Sequence, residues 1–410
     1  MAIPSSESSR QDNTLAVIRA LRSQGPMARV DLGASNDISS ATVTAITTEL
    51  LGQALVSELP PGMHRDNGRG RPKTLIQLNP DAVFVVCVKL SINEVQIVVG
   101  DFVGQVRHSE LHSLATLALT QEELCAFLVD KIEALSSQLR DTYSRFAGIC
   151  LAVQGIVSPH NGTIIWSPAL RFRNAPISSR LAAVFGCPVL LENDANCIAR
   201  SLASQPEYAA YPHMVVIMLG YGIGMSVLID GQPFIGANGS AAELGHSKYE
   251  PGGALCSCGR RGCIEAYVGD YALYREARTM LSLPAGDSAH PSEEQMQALT
   301  QLAMRGDPVA RQIFGKAGRA LGYGIANVMA LFNPDLVLIT GAGVRGYPAM
   351  RSEVEQAIDD ALVEELIGLT RVATCPWDRD MTCLGGIAMT LHATDPATLS
   401  APSSLLRLQD

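Results

Sequence analysis

The chain has 410 residues, a formal net charge of −9, 47% hydrophobic and 17% charged residues. That length allows two or three domains with cores of their own, and the apolar share excludes a largely disordered chain. The acidic balance excludes sequence-independent coating of nucleic acid, and no apolar run reaches the roughly 18 residues that span a bilayer.

Residues 1–11 are polar and Ser-rich, without the basic-then-apolar pattern of a secretory signal. They are expected to be disordered, and the protein cytoplasmic with no membrane partner. Ten cysteines suit a reducing compartment if three are metal ligands and the rest stay thiols. Cys87, Cys150, Cys187 and Cys197 lie in or beside apolar stretches, where a thiol behaves as a small hydrophobe.

Residues 12–80 carry the signals of one small unit. Leu15, Ile18 and Leu21 fall on one helix face, and Gly25 with Pro26 stops that helix. A short helix is expected from about Ala28 to Ala34. Ser39 or Ser40 can cap a third helix that turns Val43, Ile46, Leu50 and Leu51 inward and ends at Gly52. Residues 54–56 and 75–78 can pair as strands around a loop rich in Pro, Gly and Arg. Three helices and a two-stranded wing make a winged helix-turn-helix.

The charge of this unit differs from the rest. Residues 1–80 hold eight Lys and Arg against seven Asp and Glu, a balance of +1 that leaves −10 for the remainder. Ser40, Thr42, Thr44, Ala45, Thr47 and Thr48 lie off the apolar face of the third helix. Short hydroxyl side chains near a helix start suit contact with base edges and phosphates of double-stranded operator DNA. The helix has no Lys or Arg. Arg69 and Arg71, flanking Gly70 in an extended segment that ends at Pro72, supply the cations and fit a narrow, A·T-rich minor groove. The bland alternatives are an all-purpose packing helix and a plain linker.

From Val83 the character changes. Residues 84–90 and 95–99 are β-rich, and Leu124, Phe127, Leu128, Ile132, Leu135 and Leu139 sit at helical spacing. Strands are expected at about 147–153, 163–165 and 188–191, then a helix from Asn193 to Ser204. A second cycle begins with strands at 214–219 and 225–229, and a helix from about Pro308 leads to a strand at 336–340 followed by Gly341 and Gly343. Strand hairpins followed by helices, twice over, point to two related α/β lobes with a cleft between them. The expected domains are residues 12–80, a small lobe at 81–195 plus 385–400, and a large lobe at 196–384. Residues 284–296 read as a surface insertion, and the tail from Thr394 as frayed.

Cys256, Cys258 and Cys263 follow His246 by ten residues or more in a glycine-rich run that also carries Arg260, Arg261 and Glu265. Three thiolates and one imidazole at this spacing can close a tetrahedral, structural zinc site with no open position. Glu243 and Glu265 place two carboxylates on the same stretch.

The run Leu219 to Gly224, the segment Gly236 to His246 and the cysteine motif resemble the signature of the ROK family, which contains sugar kinases and sugar-responsive transcriptional repressors. The winged helix, joined through Gly68 to Pro72, resembles the repressor branch. The resemblance covers about residues 12–390 and implies an actin-like (ribonuclease H-like) ATPase fold in two lobes. Kinases of the family carry Asp-x-Gly-Gly-Thr on the first hairpin, where this chain has Lys89 to Asn93, and Gly-Thr-Gly in a second phosphate loop, where Tyr221 stands for the threonine. Side chains at the glycine positions remove the amide cradle that phosphate needs. The resemblance also implies that Asn193, Asp194, Glu243, His246 and Glu265 ring a monosaccharide, with carboxylates accepting bonds from hydroxyl pairs. Ala169, between Pro168 and Leu170, replaces an asparagine common in the family and alters the hydroxyl pattern accepted. Asn193 and Asp194 also suit a helix N-terminus.

The expectation is therefore a non-catalytic, sugar-responsive regulator, a repressor that binds operator DNA as a homodimer or tetramer. The alternative is an active sugar kinase with a DNA-binding head. Glucose, xylose and N-acetylglucosamine types of effector all remain open.

Overall fold

Helix α1 (Ser6–Gln24) opens the computed structural model, which describes residues 6–59, 73–139, 146–281 and 291–400. It starts inside the segment expected to be disordered and ends where Gly25 takes a left-handed turn at φ 80°. Next come β1 (Met27–Ala28), α2 (Arg29–Asn36) and α3 (Ser40–Gly52). The Ser39 hydroxyl accepts the Thr42 amide and so caps α3. Strands β2 (Val56–Leu59) and β3 (Leu75–Leu78) pair antiparallel, and β1 joins them on the other side of β3. This is the expected winged helix, with one strand more than the sequence reading placed.

The chain continues through β4 (Phe84–Ser91), β5 (Glu94–Asp101), β6 (Val106–Ser113), α4 (Gln121–Leu139) and β7 (Phe146–Val153). Then follow β8 (Ile156–Ser158), β9 (Thr163–Trp166), α5 (Ile177–Phe185), β10 (Val189–Asn193) and α6 (Asp194–Ala203). The sheet runs β10-β7-β4-β5-β6, with the hairpins antiparallel and β4, β7 and β10 parallel. Buried Asp101 fixes the turn after β5: it accepts the amides of Val103, Gly104 and Gln105 and pairs with Arg107 at 2.6 Å.

The second cycle has β11 (Met214–Leu219), β12 (Ile223–Ile229), β13 (Gln232–Pro233), α7 (Glu265–Val268), α8 (Asp270–Met280) and α9 (Glu293–Met304). It closes with α10 (Pro308–Phe332), β14 (Leu336–Thr340), α11 (Tyr347–Ala361), β15 (Arg371–Thr374) and α12 (Met381–Ser400). Its sheet order, β13-β12-β11-β14-β15, repeats the first: an antiparallel meander, then two parallel strands. The expected duplication of an α/β lobe is present in full, and each copy ends in a helix, α6 or α12.

The chain divides into one unit of Met1–Cys197 with Thr382–Asp410 and another of Ile198–Met381. The winged helix is not a unit apart from the first sheet. Val17, Ile18, Leu21, Val43 and Ile46 of the head share one apolar core with Val85, Cys87 and Phe102 of the lobe and Cys383, Ile387 and Leu391 of α12. Burying both faces together removes more apolar surface from water than two small cores would. Two expectations change. The tail is helical to Ser400, with Thr394, Asp395 and Thr398 buried. At residues 284–296, Ser292 and Gln295 form a capping box that starts α9, with Met296 buried, while 282–290 lie outside the described residues. No helix among the described residues is long and apolar enough to cross a membrane.

Candidate functional site

In the second unit the turn between β11 and β12 meets the cysteine loop. Glu265, the first residue of α7, is 5% exposed. Its Oε2 accepts the Ile223 amide at 3.2 Å. Its Oε1 accepts the hydroxyls of Ser257 at 2.5 Å and Tyr271 at 3.3 Å, and the Cys256 thiol at 3.4 Å. A Cβ on Gly222 would stand 2.6 Å from Oε2, so the turn reaches the acid only because that residue is glycine. Glu265 therefore spends both oxygens on protein donors, and a sugar hydroxyl would have to compete with them. Tyr221, the residue that stands for the kinase threonine, lies with its ring 5.2 Å from that of Tyr271.

The cysteine loop is held by its own backbone. The Cys256 amide donates to Arg260 O at 2.8 Å, and the Gly262 amide to Ala254 O at 2.8 Å. Gly262 sits at φ +80° with Glu250 O so close that a Cβ would collide with it. The outcome is a cage. His246 Nδ1 lies 3.7 Å from Cys256 Sγ, Cys258 and Cys263 Sγ are 3.9 Å apart, and the four donor atoms all fall within 4.8 Å of one another. Thiolates at about 2.3 Å from a tetrahedral ion stand about 3.8 Å apart, so the donor set fits a four-coordinate metal.

The electrostatics act unevenly on the four donors. The hydrogen bond with Cys256 raises the His246 pKa. Burial pushes the Cys256 thiol up, but its bonds with His246 and the Cys258 amide outweigh that and bring it down to about 7. Burial takes Cys258 up to about 11. The Lys248 ammonium donates to Cys263 Sγ at 3.1 Å. Burial also raises Glu243, against the pull of His246.

Asn193 and Asp194 belong to the first unit. Asn193 donates to Gly155 O at 2.7 Å, and its Oδ1 accepts the Ala195 amide at 2.8 Å. Asp194 Oδ1 accepts the same amide at 3.0 Å. The helix-start role read from the sequence is thus present for both. Glu192, buried beside them, accepts from Asn196 at 3.3 Å, and burial pushes its carboxyl up to about 7. On the first hairpin Asn93 takes a left-handed φ of 58°, and its amide donates to the Thr116 hydroxyl at 3.0 Å. That amide is already used, and no glycine lies between Lys89 and Asn93.

In the head, Ser40, Thr44 and Thr48 are exposed, and Thr42 bonds the Ser39 hydroxyl at 2.8 Å. Thr47 is a correction. It is fully buried, donates to Val43 O at 2.9 Å and accepts from Arg29 Nε at 2.9 Å. Four residues after Val43 is the same helix face, and that spacing was the available signal. Arg69 and Arg71 lie outside the described residues. The sequence reading missed Ser257 and Tyr271. Ser257 was hidden as a spacer between two cysteines, and nothing in the spacing marks Tyr271.

The xylose repressor of Caldicellulosiruptor bescii is 29% identical over 335 residues, covering 80% of this chain and 83% of that protein. A solved structure described as a ROK family transcriptional regulator, a homologue of the E. coli MLC protein, matches with a TM-score of 0.79 at 24% identity. It covers 95% of this chain and 98% of the other. The ROK hexokinase from Thermus thermophilus matches with a TM-score of 0.62 at 24% identity, covering 76% of this chain and 99% of that one. These likenesses show the fold, an actin-like one with a winged helix ahead of it. A family model described as ROK family matches residues 85–391, a span that takes in Asn93, the Asn193–Asp194 turn and the cysteine loop. The chain belongs to the ROK family.

Proposed function

We infer that this chain is a sugar-responsive, DNA-binding transcriptional repressor that binds its effector without phosphorylating it. One observation carries the reading: a winged helix shares its core with a ROK lobe whose first hairpin has given its turn amide to Thr116. A protein with an operator reader and no phosphate cradle uses its sugar as a signal. The resemblance to regulators named for xylose and N-acetylglucosamine supports a monosaccharide.

Asn193 and Asp194 on the first unit and Glu243 and His246 on the second are the proposed sugar contacts, and Glu265 is the proposed strut of the cysteine loop. Ionised carboxylates accept from neighbouring hydroxyls, and an epimer leaves a buried acceptor unpaired. His246, Cys256, Cys258 and Cys263 would hold a structural zinc ion, which supplies a rigid cross-link there and no hydrolytic chemistry. The zinc would fix the His246 tautomer and ring direction. The hydroxyls of Ser40, Thr42 and Thr44 contact DNA, and Arg69 and Arg71 enter the minor groove. A homodimer or tetramer in the cytoplasm presents paired heads to a palindromic operator.

The sugar releases DNA only by binding the two arrangements unequally, and DNA must weaken sugar by the same factor. Operator titrations with and without D-xylose, D-glucose or N-acetyl-D-glucosamine test this, beside a coupled ATP-turnover assay. One sugar is expected to weaken operator binding with no turnover. Turnover, or operator affinity indifferent to every sugar, overturns the reading.

A further inference from the structure

A clasp joins the DNA head to the last helix. The guanidinium of Arg22, on α1, donates to both oxygens of Asp395, on α12, at 2.8 and 2.9 Å. Its Nε donates to Phe102 O at 3.2 Å, and its Cζ lies 5.1 Å from the centre of the Phe102 ring. The Asp395 side chain is 1% exposed and that of Arg22 14%. Three parts of the unit meet there: the head, the turn after β5 and α12.

Helix α12 is also the segment by which the chain returns from the unit that holds the cysteine loop, entering at Thr382. It has little clearance at its start. A Cβ on Gly385 would collide with Cys197 O, and one on Gly386 would stand 2.5 Å from Cys87 Sγ. Farther along, Thr390, Thr394 and Thr398 are buried with their hydroxyls on carbonyls one turn back. Twenty helical residues make a rod of about 30 Å, seated against β4 and α6 at one end and clasped to α1 near the other.

A buried ion pair is weak evidence for stability, since its desolvation cost offsets its attraction. A bidentate pair is strong on geometry, because two parallel bonds fix orientation as well as distance. We propose that Arg22 and Asp395 are the positioning pair through which the sugar response reaches the DNA head. The pair locks α1 to α12, so a displacement of the rod moves the recognition helix with it instead of being absorbed at the head. This rests on the functional reading above and adds its route.

The test uses the full-length protein and the ratio of operator Kd with and without saturating sugar, taken from the same three sugars. In the wild type that ratio should fall in the usual range for linked sites, about 5–150-fold. The variant Arg22→Met with Asp395→Leu removes both charges and keeps apolar bulk. It is expected to keep its melting point, its sugar affinity without DNA, and its operator affinity without sugar. Its ratio is expected to fall to within about twofold of 1. Arg22→Lys keeps the charge but not the fork, and an intermediate ratio is expected. A purely structural pair would lower the melting point and leave the ratio alone. A responsive wild type with an equally responsive double variant ends the clasp and leaves the functional reading standing. If the double variant does not fold, an unchanged ratio in Arg22→Lys ends the clasp. A wild type that answers no sugar ends the functional reading and the clasp with it.

Discussion

The Ser257 hydroxyl donates to the Glu265 carboxylate at 2.5 Å, and the same carboxylate holds the Ile223 amide of the glycine turn. One buried acid thus ties the cysteine loop to the turn between β11 and β12. Glu265→Gln would turn an amide NH2 toward groups that are themselves donors. A loss of about 1–3 kcal/mol is expected from the unsatisfied bonds, read as a lower melting point together with weaker sugar binding. Ser257→Ala should cost less, since Tyr271 still donates. A Gln variant with wild-type melting and sugar affinity would show that the acid is not the strut.

Atomic emission should find one zinc per chain, and chelation should lower the melting point. Cys258→Ser is expected to lose metal and to weaken sugar binding together, because the ligand that fixes the loop is gone. Zinc-free protein with normal sugar affinity would separate the two properties.

Thr44 and Thr47 lie three residues apart on α3 and should behave oppositely. Thr44→Val is expected to weaken operator binding without changing stability. Thr47→Val strands the Arg29 donor and is expected to cost about 1–3 kcal/mol of stability. Arg71→Ala should weaken operator binding and reduce the slope of log affinity against log salt by about 1. An unchanged slope would remove the wing contact.

Burial holds the Glu192 carboxyl up at about 7, against the ordinary 4.5. The unfolded chain then releases this proton first. The effect on stability is nil below pH ~4, grows as pH rises from about 4.5 to 7, and is a full penalty above 7 of about 3 kcal/mol. Glu192→Gln should therefore raise the melting point at pH 8 and leave it nearly unchanged at pH 4.5. Equal shifts at both pH values would mean that the residue does not titrate in this way.

Elements with a strong period were legible from residues alone. The buried runs of β4, β7, β11 and β14, and α4 with Leu124, Leu128 and Leu135 on one face, announce themselves by pattern. Strands β6 and β15 did not, because they lie at sheet edges with half-exposed, mixed sequences such as Val106–Ser113. The metal cage was legible because its donors sit on one short stretch. The Ser257–Glu265–Tyr271 bonds were not, because hydrogen-bond direction depends on how the loop folds back. The Arg22 clasp joins positions 373 residues apart, a distance no local pattern spans. Thr47 was misplaced by residue type, since a threonine looks polar while its position was apolar.

The head and the last helix cannot be parted cleanly. A chimera that grafts residues 12–80 onto a different effector body would uncover Val17, Ile18 and Leu21 where Phe102, Ile387 and Leu391 now cover them. To retarget such a regulator, an engineer would have to transplant the C-terminal helix along with the N-terminal reader, or redraw the operator preference in place.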